Sequence, residues 1–104
     1  MKSIGMAMKL RPGCYDEYKR RHDNLWPELA VAMRGRGISM VIYRHEDHLF
    51  VYGTAPSEQA WTEMNGDAIA PRWNKYMAEV LETDDAGNIV FIPLTQAFAF
   101  GALS

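Results

Sequence analysis

The sequence predicts an α+β domain with one antiparallel sheet and the element order β-α-β-β-α-β, and three observations carry that expectation. Apolar residues Ile4, Met6, Met8 and Leu10 fall at every second position, the period of a strand with one buried face. Two longer stretches carry apolar residues at three- and four-residue spacings, the period of a helix. Between them lie two strand-like runs joined by a short polar segment, the pattern of a hairpin.

The first strand runs from Ile4 to Leu10 and stops at the turn residues Arg11-Pro12-Gly13. A helix is expected over Cys14 to Asn24, because Tyr15, Tyr18, His22 and Leu25 share one face while Lys19, Arg20, Arg21 and Asp23 cover the rest. Pro27 is unfavourable inside a helix and comfortable in a first turn. The helix therefore breaks near Asp23-Asn24, and a second one runs from about Leu25 or Trp26 to Arg34, ended by Gly35 and Gly37. Ile38 to Tyr43 and Leu49 to Thr54 are the hairpin strands, joined by Arg44-His45-Glu46-Asp47-His48. Pro56-Ser57-Glu58 opens a helix through Ala60, Trp61 and Met64, which Gly66-Asp67 interrupts. The next helix is expected to carry Trp73, Met77, Val80 and Leu81 on one face. After the turn Asp84 to Asn88, a long last strand is expected from Ile89 to Phe100. Pro93 cannot donate a ladder hydrogen bond and marks an edge or a bulge.

This order is the ferredoxin-like split arrangement. Helices cover one face of such a sheet and leave the other apolar and open. Two sheets packed face to face would close it as a dimeric α/β barrel. The composition supports a homodimer: 48% of the 104 residues are hydrophobic, with 3 Trp, 5 Tyr, 4 Phe and 7 Met. A chain of this size buries only roughly 60–70% of its unfolded surface on its own. The length fits one domain over residues 1–104, since domains commonly run ~100–150 residues.

A net charge of −2 disfavours a nucleic-acid partner. No apolar run approaches the ~20 residues of a membrane span, and Met1-Lys2-Ser3-Ile4-Gly5 has no apolar signal core. The single cysteine, Cys14, excludes an internal disulfide and fits a reducing compartment. A soluble, cytoplasmic protein is expected.

Chemistry concentrates between Tyr18 and Leu29. Tyr18 and His22 are four residues apart and meet on one helix face. An imidazole and a phenol can together donate and accept protons near neutral pH. Periodicity alone favours the plainer reading of two half-buried residues packed on the sheet. Other candidates have plainer readings. His45 and His48 flank acidic residues in the hairpin without a third metal ligand nearby. Trp26, Trp61 and Trp73 could stack on a sugar or fill the core. Arg72 could hold an anion or a surface carboxylate, and Cys14 lacks a local base. There is no phosphate loop, dinucleotide fingerprint or nucleophile elbow, so an enzyme of this sequence is expected to work without a cofactor or metal.

The run Glu17-Tyr18-Lys19-Arg20-Arg21-His22, then Leu25-Trp26-Pro27-Glu28-Leu29, resembles the L-rhamnose mutarotase family, as does the later block Arg72-Trp73-Asn74-Lys75-Tyr76-Met77. The resemblance spans nearly the whole chain. It implies a dimeric α/β barrel that interconverts the α and β anomers of a free monosaccharide. It implies His22 as proton donor, Tyr18 as a substrate contact that could also carry a proton, and Trp73 as a second contact. Three positions depart from the family pattern. Met40 stands where a sugar-contacting Tyr is common, Asn74 where a second Trp is common, and Thr95-Gln96-Ala97-Phe98 where Glu-Val-Phe is usual. Met40 and Asn74 are thus expected in the sugar-binding wall with altered chemistry. Two other readings suit the same fold: a cofactor-free monooxygenase acting on a flat aromatic substrate, and a non-catalytic ligand-binding barrel.

Overall fold

A computed structural model describes residues 1–103. Its elements are β1 (Lys2–Lys9), α1 (Tyr15–Asp23), α2 (Pro27–Gly35), β2 (Ser39–His45), β3 (His48–Ala55), α3 (Glu58–Asn65), α4 (Ile69–Met77) and β4 (Ile92–Pro93), with a short 3-10 turn at Gly101–Leu103. The strands form one antiparallel sheet in the order β2-β3-β1-β4. This is the expected ferredoxin-like α+β arrangement, with each of the two helical segments broken in two.

The breaks follow local chemistry. Pro27 sits in the first turn of α2, where its missing N–H costs nothing. Gly37 takes φ +70°, and the N–H groups of Gly37 and Ile38 return to the carbonyls of Arg34 and Met33, closing α2. Ser57 caps α3 by accepting from the Ala60 N–H at 3.3 Å. After Gly66 the Asp67 carboxylate accepts from the Ile69 N–H at 3.0 Å and restarts the chain as α4.

Strand pairing sorts the two sheet faces. Met8 pairs with Leu49, Met6 with Val51 and Ile4 with Gly53, and this side meets the helices. One core gathers Leu10, Tyr18, Leu49, Val51, Met77, Leu81 and Ile89; another gathers Leu29, Ile38, Ala55, Trp61, Met64 and Ile69. Trp73 packs against both. On the other side, Tyr43, Phe50, Ala7 and Ile92 lie in one row across four strands. Val41, Tyr43, Phe50 and Ile92 are all exposed there.

Two expectations need correction. The helix over Trp73 stops at Met77, and Val80 and Leu81 are buried beyond it in a turn. The end of β1 captures the chain: Arg11 donates from Nε and Nη2 to the Ala78 carbonyl, its own N–H reaches the Val80 carbonyl, and Leu10 bridges Leu81. The long last strand is also absent. Only Ile92 and Pro93 pair with Ala7 and Met6, followed by one bond from the Leu94 N–H to the Gly5 carbonyl at 3.0 Å. Pro93 does sit on an edge strand, as its missing donor requires. Residues 95–100 make no further ladder pairs.

Candidate active site

α1 places Tyr18 and His22 one turn apart, with ring centroids 4.2 Å apart. The half-buried His22 has its Nδ1 3.1 Å from the Tyr18 backbone carbonyl oxygen. A carbonyl only accepts, so Nδ1 carries the hydrogen and donates. In the neutral imidazole Nε2 then holds the lone pair. Burial lowers the His22 pKa below its ordinary 6.5, against the opposing pull of the Tyr18 carbonyl and the Asp23 charge. The ring is therefore mostly neutral at pH 7 and poised to accept a proton at Nε2.

Tyr18 is buried, and burial pushes its phenol well above the ordinary value of 10. It stays neutral at physiological pH and can act as a hydrogen-bond donor, not as a phenolate base. Among the described residues no protein group hydrogen-bonds its hydroxyl. Glu17, one residue before it, is held down to about 2 by hydrogen bonds from Arg20 and then Arg21.

α4 brings Trp73 edge-on to His22, with centroids 5.3 Å apart. Trp26, at the α1–α2 break, meets Trp73 edge-on at 5.0 Å and stacks on Tyr76 at 5.2 Å. An aromatic wall thus flanks the imidazole. Tyr18, His22, Met40, Trp73 and Asn74 all line one open cleft of 1810 Å³, wider than the ~300–1,000 Å³ of a closed small-ligand pocket. Met40 on β2 and Asn74 on α4 are exposed along it. A smaller hollow of 510 Å³ beside Lys9, Arg11 and His48 contains none of these five residues.

The remaining candidates take their plainer readings. Trp61 is buried, its indole N–H donates to the Lys2 carbonyl at 3.1 Å, and its ring occupies the space where Gly53 lacks a Cβ. Arg72 pairs with Glu28 at 3.4 Å, both largely exposed. Cys14 precedes α1 and packs on the first core. His45 and His48 face each other across a two-residue hairpin turn, away from the cleft. Sequence reasoning missed Tyr76 and Arg21. Tyr76 follows Trp73 by three residues, a helical same-face spacing that could have revealed it. Arg21 meets Tyr76 across 55 residues of sequence, which no local spacing encodes.

A profile of the L-rhamnose mutarotase family matches residues 3–100. The L-rhamnose mutarotase of Burkholderia orbicola (strain MC0-3) is 40% identical over 93 residues, covering 86% of this chain and 89% of that protein. The Bacillus subtilis (strain 168) L-rhamnose mutarotase is 33% identical over 101 residues, covering 94% and 97%. Among solved structures, the L-rhamnose mutarotase of Formosa agariphila superposes with a TM-score of 0.80 at 29% identity, covering 97% of this chain and all of that one. An antibiotic biosynthesis monooxygenase superposes with a TM-score of 0.63 at 11% identity, covering 93% and 99%, a likeness of fold alone.

Proposed function

The chain belongs to the L-rhamnose mutarotase family, and we propose that it acts on L-rhamnose or a close 6-deoxy relative by proton exchange at His22. It is an isomerase, a sugar mutarotase that interconverts α and β anomers. The observation that carries the mechanism is the Nδ1–H bond to the Tyr18 carbonyl, which leaves Nε2 as the free basic nitrogen.

Ring opening removes a proton from the anomeric hydroxyl and adds one to the ring oxygen. The aldehyde turns about one bond, and reclosure on its other face reverses both transfers. In ring opening His22 takes the anomeric proton at Nε2 and, as imidazolium, delivers it to the ring oxygen; in reclosure it takes that proton back and returns it to the former carbonyl oxygen, so neutral imidazole is regenerated in each half. As imidazolium it is the proton donor the family resemblance implies. Tyr18, held neutral by burial, donates a hydrogen bond that orients the sugar. Trp73 offers an aromatic face to the pyranose, while Met40 and Asn74 border the cleft. The chemistry calls for no cofactor or metal.

The protein works as a cytoplasmic homodimer in this reading, each chain a single domain. Support comes from the exposed row of Tyr43, Phe50 and Ile92 on the open sheet face. No helix among the described residues is long and apolar enough to cross a membrane. Sedimentation should give twice the 11.8 kDa chain mass; a monomer at micromolar concentration would overturn the dimer.

Function is tested by adding freshly dissolved crystalline α-L-rhamnose and following relaxation by polarimetry or NMR. Acceleration over buffer, reduced in His22→Asn, is the expected result. Saturable sugar binding without acceleration would overturn the mechanism in favour of a binding protein, and oxygen uptake with a flat aromatic substrate would favour the monooxygenase reading.

A further inference from the structure

The geometry points to Arg21 as a positioning residue for the mutarotase reaction: it locks α1 to the end of α4 and thereby sets Trp73 against His22. The inference rests on His22 being the proton-exchanging group. Arg21 is the residue before His22, and its side chain is only 12% exposed, unlike Arg20 at 58%. Its guanidinium spans two helices. Nε–H donates to the Glu17 carboxylate at 2.6 Å, one turn back on α1. Nη1–H donates to the Tyr76 carbonyl at 2.8 Å, in the last turn of α4, and faces the Glu79 carboxylate at 2.9 Å, two residues beyond that helix.

The same plane lies 4.0 Å from the centroid of the Tyr76 ring. Tyr76 stacks on Trp26 and contacts Trp73 at 5.7 Å, and Trp73 ends edge-on at His22. The chain of contacts from the guanidinium to the imidazole is therefore continuous. A cation also suits the negative end of a helix, here the last turn of α4. Lysine could supply that charge, but not a planar fork that meets three oxygens while lying on a ring.

Arg21 itself does not line the cleft, so it acts through Tyr76 and Trp73. Loss of the lock lets the aromatic wall drift from His22. Small displacements of this kind cost up to ~100-fold in rate. A looser wall also admits water to the imidazole. Its acid midpoint then rises toward the ordinary value of about 6.5, with Asp23 and the Tyr18 carbonyl still in place.

The test compares Arg21→Met and Arg21→Lys with the parent chain on L-rhamnose at a temperature where circular dichroism shows each folded. Arg21→Met is expected to lower kcat about 10- to 100-fold with KM changed less than threefold, and to raise the acid midpoint of kcat/KM. Arg21→Lys should recover only part of kcat. Should Arg21→Met not fold, Arg21→Lys carries the same two measurements, a reduced kcat and a raised midpoint. A folded variant with parental kcat and midpoint overturns the positioning role, as does full rescue by lysine. The underlying reading fails separately: a fully active His22→Asn variant would remove the group Arg21 is said to position.

Discussion

His22→Asn isolates proton exchange from packing, because the helix already shows what asparagine does in such a place. Asn24 donates its side-chain amide to the carbonyl four residues back, Arg20, at 2.8 Å. Asparagine at position 22 can make the equivalent bond to the Tyr18 carbonyl and replace the one Nδ1–H now makes at 3.1 Å. The losses in stability are then the two ring contacts, to Tyr18 and Trp73. Aromatic pairs contribute ~0.5–1.5 kcal/mol each beyond their buried area. The total of about 1–3 kcal/mol is smaller than the ~5–15 kcal/mol that holds a domain folded. The loss in rate is larger. Positioned acid–base catalysis contributes typically ~10²–10⁴-fold, or ~3–5 kcal/mol of barrier at ~1.4 kcal/mol per decade.

The assay follows relaxation of fresh α-L-rhamnose by NMR, with circular dichroism as the check on folding. A folded His22→Asn variant within tenfold of the parental kcat/KM would refute the assignment. The pH profile tests the same reasoning independently. Protonated His22 cannot accept at Nε2, so activity falls on the acid side, and the lowered pKa puts that fall below pH 6.5. The sign for stability agrees. The unfolded chain binds its proton first, so His22 costs stability as pH drops from about 6.5 toward the folded value. A midpoint above 6.5 would contradict the burial of the imidazole.

Tyr18→Phe should lower kcat/KM roughly 2- to 10-fold, the value of one neutral hydrogen bond, with a melting temperature near the parent's, since no described protein group bonds the hydroxyl. Gly53→Ala would set a Cβ 2.7 Å from the Trp61 ring, which its bond to the Lys2 carbonyl holds in place. Overpacking of this kind costs ~1–3 kcal/mol, readable in urea melts, and an unchanged midpoint would contradict a tight fit. The parent should accept L-rhamnose but discriminate loosely among hexoses. Met40→Tyr with Asn74→Trp should sharpen that preference in a sugar panel, because a site built to hydrogen-bond a hydroxyl rejects analogues more strongly than methyl packing does; a parent already exclusive for L-rhamnose would show that these positions do not set specificity.

What the sequence made legible was short-range. The four-residue step from Tyr18 to His22 and the alternation from Ile4 to Leu10 are set by helix and strand geometry alone, and both hold. The end of α4 was not legible. Val80 and Leu81 continue a helical pattern, but burial of an apolar residue says only that it faces the core, and here a turn tied to Leu10 and Arg11 delivers it. Arg21 reads as one of three consecutive cations on a charged helix until α4 folds against it.

The C-terminal segment fails for a more instructive reason. Val90, Ile92, Leu94, Phe98 and Phe100 fall at every second position, with Gln96 in the series and the apolar Phe91, Pro93, Ala97 and Ala99 between them. Yet a strand exists only where another edge accepts its hydrogen bonds. Within this chain the edge of β1 offers pairing at Met6 and Ala7 and one further bond at Gly5. Ile92 and Leu94 already point to the open sheet face, Ile92 beside Ala7 and Leu94 over Gly5. Phe98 and Phe100 continue the same alternation and are each 82% exposed. The pattern and the uncovered sheet therefore lack the same cover. In the proposed homodimer one facing subunit would supply it to both, and the two-residue period from Val90 to Phe100 would there encode a contact between chains, written in the same period as a contact within one.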